Sequence, residues 1–260
     1  AGQQQLDMAK TAFDDQYVDC VDKMERIAPR LLEEDMRMNK KLKVKWESAK
    51  KHWKQIKNTV SYPSQFNNFH GTALVAYTGS IAFAFNRAVR NFASNNDTFY
   101  FKGFHYYLTR ALQLLNSGTC YMVYRGSKIR FTYRGKGNVR FGQFASSSLE
   151  RNIAMHFLGE NGTLFIINTC KGVHIEAFSQ YPDQKEVLIP GYEEYQKVTI
   201  NKKPQEKYNT IMLEKPQTMK SNFNCFYKDH DSNFNRVGRK KPRIPLAADW
   251  DSAPVAASPY

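Results

Sequence analysis

The chain has 260 residues, 42% hydrophobic content and a formal net charge of +14. This length allows one large domain or two closely packed lobes with a sizeable core. The positive charge favours an anionic partner. It is spread over residues 40–57, 202–220 and 236–243 without a recognised nucleic-acid motif, so we do not expect a nucleic-acid partner.

The cysteines and glycosylation triplets indicate an oxidising, extracellular setting. Four cysteines are present, with no spacing typical of a metal site: Cys20, Cys120, Cys170 and Cys225. Two disulfides are the simplest interpretation, and the sequence alone allows three connectivities. Asn96 and Asn161 begin Asn-x-Thr triplets, which agree with secretion. The sequence shows no signal peptide or long apolar span, so we interpret it as a mature or trimmed ectodomain.

The N-terminal part of the chain predicts helices. Residues 1–12 have no clear pattern, and we expect a flexible arm. Residues 13–118 carry apolar stripes at helical spacing, which predict a helical lobe. The first stripe begins at Tyr17 and is predicted to end near Pro29. Further stripes predict helices within residues 42–56, 73–77, 81–92 and 104–115.

After Gly118 the pattern changes to short β-branched or aromatic segments, which predict a strand-rich core over residues 119–227. A short helix is expected over residues 149–157, and residues 208–213 and 222–227 are candidates for edge strands. Residues 228–260 are polar, then basic, then rich in Ala, Pro and Ser, which predicts a flexible tail. This order of elements predicts an α+β fold. The predicted strands cover residues 120–125, 128–133, 139–144, 163–170, 174–178, 186–189 and 195–200.

Three polar groups lie at predicted strand edges: Arg125, the serine run 146–148 and Glu186. A guanidinium suits a phosphate, and a serine hydroxyl can hold a sugar hydroxyl or orient a carboxylate. A carboxylate can stabilise positive charge that develops on a sugar ring. If the three converge, the set fits cleavage of an N-glycosidic bond through an oxocarbenium-like state. Gln184 and Glu186 would share one face of an extended chain.

Each of these residues also has an ordinary structural interpretation. Arg125 fits a surface ion pair, the serines fit a helix N-cap, and Glu186 fits a solvated strand start. The sequence has no Gly-rich dinucleotide fingerprint, no phosphate-binding loop and no convincing His or Cys nucleophile pattern. The combination and order of the three groups therefore carry the functional hypothesis.

Three motifs, Tyr124-Arg125-Gly126, residues 139–148 and residues 186–190, resemble the Arg–Ser–Glu signature of the vertebrate mono-ADP-ribosyltransferase ectoenzymes. The resemblance extends over about residues 8–227, and the rodent T-cell type 2 members are the most similar. Further matching segments are residues 13–17, 70–78 and 105–108.

The family resemblance implies an N-terminal helical lobe packed on a C-terminal β-sandwich core that binds NAD as a substrate, and we expect no metal. It implies the disulfide pairs Cys20–Cys225 and Cys120–Cys170, one of which ties the two lobes together. It also implies an extracellular glycoprotein, secreted or GPI-anchored, and we expect a monomer that meets the membrane only through a lipid anchor.

The resemblance also implies roles for individual residues. Arg125 would bind the NAD phosphates, and the Gly126 backbone would lie near the nicotinamide amide. Ser146 would orient the ribose and the catalytic Glu186. Phe157 matches a family aromatic residue that packs on nicotinamide. Asn86 and Arg90 match two positions at which the family contacts the adenosine and diphosphate side.

One position departs from the arginine-specific members, which carry Glu-x-Glu where this chain has Gln184-Lys185-Glu186. A guanidinium has a pKa above about 12, so its attack benefits from a nearby carboxylate. Because Gln184 carries no charge, we predict an NAD glycohydrolase with water as acceptor, and weak or self-directed transfer to arginine. The alternatives are an efficient arginine-specific transferase and a non-catalytic interaction ectodomain.

Overall fold

The computed structural model describes residues 3–201 and 205–230, so the tail predicted over residues 228–260 lies outside the described residues after residue 230. Helices fill the first half of the chain, and their buried faces carry the predicted apolar stripes. Among the described residues, none of the helices has the length and apolar character to cross a membrane. The helices are α1 (Val21–Met38), α2 (Lys40–Ile56), α3 (Asn68–Tyr77), α4 (Ile81–Arg90), α5 (Phe92–Asn95), α6 (Lys102–Leu115) and, later, α7 (Arg151–Met155).

Helix α1 continues through Pro29 to Met38, so its predicted end near Pro29 is wrong. Proline removes one helical hydrogen bond and crowds the preceding turn. Burial of Ile27 and Leu31 on either side of Pro29 compensates, because both pack in the core of the helical lobe. Asn39 then begins α2, where its side chain accepts a hydrogen bond from the Leu42 amide at 3.0 Å.

The described residues contain ten strands, and nine of them lie after Gly118, in the part of the chain that is predicted to be rich in strands. Eight of them form one mixed sheet in the order β4-β9-β10-β6-β2-β5-β8-β7. The strands are β1 (Gln3–Gln5), β2 (Tyr121–Ser127), β3 (Arg130–Thr132), β4 (Val139–Arg140), β5 (Ala145–Ser148), β6 (Thr163–Thr169), β7 (Val173–His174), β8 (Glu186–Ile189), β9 (Glu193–Asn201) and β10 (Asn209–Thr218).

The eight-stranded sheet has a narrow joint between β2 and β5, which pair only at Tyr124 and Ser148. By contrast, β2 pairs with β6 along its whole length. Side chains from both parts of the sheet, such as Phe165 and Val187, share one hydrophobic cluster. The two parts therefore pack on each other as the layers of a sandwich, and the predicted α+β fold class is confirmed.

The N-terminal segment differs from the predicted flexible arm. Strand β1 pairs in parallel with β3, and the Leu6 amide donates to the Thr132 carbonyl at 2.7 Å. The buried Arg140 donates to the carbonyls of Met8 at 2.5 Å and Ala9 at 2.9 Å. These partners are distant in sequence, so the segment has no local pattern that predicts its order.

Three C-terminal predictions are also corrected. Strand β10 lies inside the sheet between β9 and β6, so it is not an edge strand. Residues 222–227 form turns, because Asp14 and Asp15 accept their backbone amides, including that of Phe223 at 2.9 Å from Asp14. Most of the strand predicted over residues 174–178 is a short 3-10 helix, Glu176–Phe178.

The two disulfides have the pairing that the family resemblance implies. Cys20–Cys225 fastens the C-terminal turns to the start of α1, next to the amide bonds of Asp15. Cys120–Cys170 joins the ends of β2 and β6. The first bridge closes the longer loop, with a sequence separation of 205 against 50 residues. It therefore removes more conformational freedom from the unfolded chain.

Candidate active site

The structure brings Arg125, Ser146 and Glu186 together on the neighbouring strands β2, β5 and β8, with relative exposures of 8%, 0% and 2%. Ser148 lies opposite Glu186 and Ser146 opposite Leu188, so Ser146 and Glu186 are diagonal neighbours on one face of the sheet. This face meets the helical lobe, because Leu188 belongs to the hydrophobic cluster of that lobe. The site therefore lies between the two lobes.

The three serines of the run have different partners. The Ser147 hydroxyl donates to the Val187 carbonyl at 2.7 Å, and the Ser148 hydroxyl donates to the Gln184 carbonyl at 2.8 Å. These two bonds fasten β5 to β8 and its preceding turn. The Ser146 hydroxyl is buried and has no partner of ordinary hydrogen-bond geometry among the described residues. The run is thus part of a strand, and Ser146 is the member available to a ligand.

Glu186 is a buried carboxyl group whose Oε2 atom also has no hydrogen-bond partner in the described part of the chain. Burial raises the pKa of Glu186 to about 8, while the nearby Ser146 hydroxyl and the Arg125 charge act in the opposite direction. A buried polar atom without a partner is costly and is frequently found at functional sites. The arrangement suits a carboxylate that meets positive charge on a bound ligand.

Gly126 allows α7 and the residues after it to pack closely on β2. A Cβ atom at this position would lie 1.9 Å from the Ala154 carbonyl oxygen and 3.3 Å from the Phe157 Cβ atom. The first contact is too short for any side chain at position 126, and the second is tight. Phe157 is half-buried beside this glycine, so the Arg125–Gly126 segment and the aromatic ring belong to one site.

Arg90 and Arg125 line the same cavity, which has a volume of about 70 Å³. The Arg90 side chain donates to the amide oxygen of Gln143, and the Arg125 guanidinium carbon lies 5.7 Å from the centre of the Phe141 ring. Burial and the charge of Arg125 lower the pKa of Arg90. Two guanidinium groups at one cavity form a suitable binding site for a diphosphate.

Asn86 does not line that cavity and instead contacts Tyr77, which lies near Glu186. Its Nδ2 atom donates to the Tyr77 hydroxyl at 2.9 Å, and its buried Oδ1 atom has no partner among the described residues. Burial raises the pKa of Tyr77 to about 12, and the nearby Glu186 charge adds to this effect. Sequence reasoning missed Tyr77, because a tyrosine in an apolar helical segment has the pattern of an ordinary core residue.

Gln184 and Glu186 do not lie on one extended segment, so the geometric basis predicted for this pair is wrong. Gln184 ends a short 3-10 helix, Pro182–Gln184, and Lys185 has a left-handed backbone with φ of 47°. Gln184 is half-exposed, whereas Glu186 is buried. The side chain of Lys185 pairs with Glu150 at the surface. The described residues contain no group of three or more His, Cys, Asp or Glu side chains placed to hold a metal ion.

Comparisons with known proteins agree with this architecture. The family model described as NAD:arginine ADP-ribosyltransferase matches residues 6–221. T-cell ecto-ADP-ribosyltransferase 2 of Mus musculus is 57% identical over 232 residues, which cover 88% of this chain and 80% of the relative. The Rattus norvegicus protein of the same name is 62% identical over 224 residues, covering 85% of this chain and 80% of the relative.

A solved structure also matches the whole fold. The crystal structure of the eucaryotic mono-ADP-ribosyltransferase ART2.2 superposes with a TM-score of 0.82 at 61% sequence identity, covering 86% of this chain and 99% of that chain. A variant of the same protein has been solved in complex with NAD. The family resemblance of the sequence motifs is thereby confirmed. This chain belongs to the NAD:arginine ADP-ribosyltransferase family.

Proposed function

We propose that the protein is an extracellular enzyme that cleaves the nicotinamide–ribose bond of NAD and transfers the ADP-ribose mainly to water. The observation that carries this proposal is the buried carboxyl group of Glu186, whose unpartnered oxygen lies beside Ser146 and Arg125. NAD bound to an ART2.2 variant supports NAD as the substrate. Family membership supports ADP-ribose transfer as the reaction class.

The arrangement of residues supports a defined orientation of NAD. Arg125 and Arg90 line one cavity and would hold the diphosphate. Phe157 would pack on the nicotinamide ring beside the Gly126 backbone. The ribose would then lie at Ser146 and Glu186. Asn86 contacts Tyr77, and its free Oδ1 atom would face the ribose side.

The reaction needs little proton transfer before the bond breaks. The nicotinamide ring of NAD carries a positive charge, so the electron pair of the C1′–N bond neutralises the departing ring. Positive charge passes to the ribose, where ionised Glu186 stabilises it. Water then attacks C1′ and releases one proton to the solvent. One carboxylate is therefore sufficient for hydrolysis.

Gln184 supports water as the favoured acceptor. An arginine acceptor arrives as a cation and must lose a proton before or during its attack. An amide at position 184 neither attracts this cation nor accepts its proton. We therefore propose that transfer to arginine is weak or limited to self-modification. The competing function is efficient arginine transfer, which the description of the matching family favours.

The proposed location is the cell exterior, either secreted or attached by a GPI anchor. Two disulfides suit an oxidising compartment. The relatives carry the prefix "ecto" in their names. Asn96 and Asn161 are both exposed and could carry glycans. We propose a monomer that binds no nucleic acid.

The decisive experiment measures nicotinamide release from NAD by the purified protein, with and without the arginine analogue agmatine. Glu186→Ala serves as the catalytic variant, and Glu160→Ala, which removes an exposed carboxylate, serves as its matched control. Release that is independent of agmatine and lost only in Glu186→Ala supports the proposal. Efficient labelling of agmatine would establish an arginine transferase instead. Absence of release would leave a binding ectodomain.

A further inference from the structure

We propose that Tyr77 is a positioning residue for the reaction, held by Asn86 and acting on Glu186 through the Ser146 hydroxyl. The proposal rests on the proposed function of Glu186 as the group that stabilises the ribose cation. Tyr77 ends α3, and Asn86 lies in α4, so the helical lobe supplies both residues to a site whose other members lie on strands.

Buried polar atoms without hydrogen-bond partners are concentrated around Tyr77. Among the described residues, seven buried side-chain polar atoms lack a hydrogen-bond partner, and three of them are Asn86 Oδ1, Ser146 Oγ and Glu186 Oε2. Tyr77 lies near all three of these residues. It bonds Asn86 directly, and Ser146 and Glu186 are near enough to alter its pKa. Such a group of unsatisfied atoms is unusual for a hydrophobic core.

The direction of the Asn86–Tyr77 hydrogen bond leaves the Tyr77 proton available to another group. The Asn86 amide nitrogen can only donate, so the Tyr77 oxygen accepts at 2.9 Å and the Tyr77 proton remains for another acceptor. The Phe144 carbonyl lies 3.4 Å away, which is long for a hydroxyl donor. The Ser146 hydroxyl is near enough to lower the Tyr77 pKa. We infer that this hydroxyl is the acceptor for the Tyr77 proton in the reacting enzyme. The Ser146 proton would then remain for the Glu186 carboxylate, whose pKa the Ser146 hydroxyl lowers.

A hydrogen bond from Tyr77 to Ser146 would affect the ionisation of Glu186. Donors that act in series toward a carboxylate polarise one another and favour its ionised form. The charged or titratable groups that face Glu186 are Arg125, on β2, and Tyr77, on α3. Arg125 favours ionisation by its charge. Tyr77 would favour it by directing the Ser146 hydroxyl, and the same bond would hold that hydroxyl in place during the reaction.

Tyr77→Phe tests this role, because the ring contacts with Phe85 and Phe144 can remain while the hydroxyl is lost. We expect kcat for nicotinamide release to fall about tenfold or more. The KM for NAD should change less than about twofold, because Tyr77 acts through Ser146. The ionisation of Glu186 should move to higher pH by on the order of one unit, both in the pH profile and in a ¹³C NMR titration of its carboxyl carbon.

Tyr106→Phe is the matched control, since it removes another buried tyrosine hydroxyl, which donates to Glu25 at 2.6 Å in the helical lobe. It should lower stability without moving the Glu186 titration. An unchanged titration and kcat in Tyr77→Phe, or an equal loss of activity at every pH, would overturn the positioning role. If Tyr77→Phe does not fold, Asn86→Leu decides, with a smaller shift in the same direction expected. The NMR titration does not depend on turnover, so an inactive wild type would refute only the proposed function.

Discussion

The Arg125 guanidinium donates from Nη1 to the backbone carbonyl of Ser146 at 2.8 Å, across the joint between β2 and β5. These strands share only one residue pair, Tyr124 with Ser148, so the side-chain bond is a second connection at this joint. Arg125 therefore has two roles in our account. It fixes the strand that carries Ser146, and it presents positive charge to the cavity that we propose for the diphosphate.

Arg125→Lys should impair both roles, because an ammonium group cannot reproduce the planar fork of a guanidinium. We expect kcat/KM for nicotinamide release to fall by about tenfold or more, with a higher KM for NAD and a lower kcat. Steady-state kinetics separate the two effects. Arg134→Lys, at an exposed position, is the control. A change in KM alone would show that Ser146 does not depend on the Arg125 bond.

The pH dependence of turnover should report the buried carboxyl group. Burial raises the pKa of Glu186 to about 8, and the proposed reaction requires the ionised form. The kcat/KM for nicotinamide release should therefore rise as pH increases through about 8. The kcat should also rise with increasing pH, but with its midpoint at a lower pH, since the positive ring of bound NAD favours the carboxylate. A kcat/KM profile already flat above about pH 5 would contradict this assignment.

The same group should make stability depend on pH. The folded-state pKa of Glu186, about 8, exceeds its ordinary value of 4.5, so its contribution to stability is full below pH 4.5 and is lost as pH rises through about 8. Glu186→Gln removes the buried charge. It should increase the free energy of unfolding by about 0.5–2 kcal/mol near pH 9 and change it little near pH 4.5. Urea denaturation at both pH values measures this, and equal effects at both would refute it.

Gly126→Ala should disrupt the packing of α7 on β2, because the added methyl group would lie 1.9 Å from the Ala154 carbonyl oxygen. We expect a stability loss of about 1–3 kcal/mol and severe loss of NAD turnover. Thermal unfolding and nicotinamide release are the measurements. Gly79→Ala is a suitable control, since its nearest neighbour is the flexible Gln180 side chain at 3.1 Å. Full activity of Gly126→Ala would show that this close packing is dispensable.

Gln184→Glu should raise transfer to agmatine, because a carboxylate attracts the guanidinium and can accept its proton. An increase of about tenfold or more is expected in the ratio of labelled agmatine to hydrolysed NAD. Gln55→Glu, on the exposed face of α2, adds the same charge outside strand β8 and its preceding turn and should leave the ratio unchanged. No rise in Gln184→Glu would mean that position 184 does not decide the acceptor.

Strand β8 and the turn before it differ in how far their local sequence predicts their structure. The sequence predicts the strand 186–189 with its correct bounds, because the apolar run of residues 187–189, ended by Pro190, is a clear local pattern. The same local reasoning failed for Gln184, since the left-handed Lys185 breaks the alternation of an extended chain. A lysine in that conformation has no distinctive sequence signature.

The sequence by itself determined the fold class, the family and the order of Arg125, the serine run and Glu186, because hydrophobic periodicity and motifs are local properties of the chain. Tertiary structure decided which serine is available, since Ser147 and Ser148 donate to backbone carbonyls of residues 187 and 184. It also placed Tyr77 of the helical lobe near Glu186, and Asn86 next to Tyr77. Such contacts join residues far apart in the chain, and burial, which sets the pKa of Glu186, exists only after the lobes pack together.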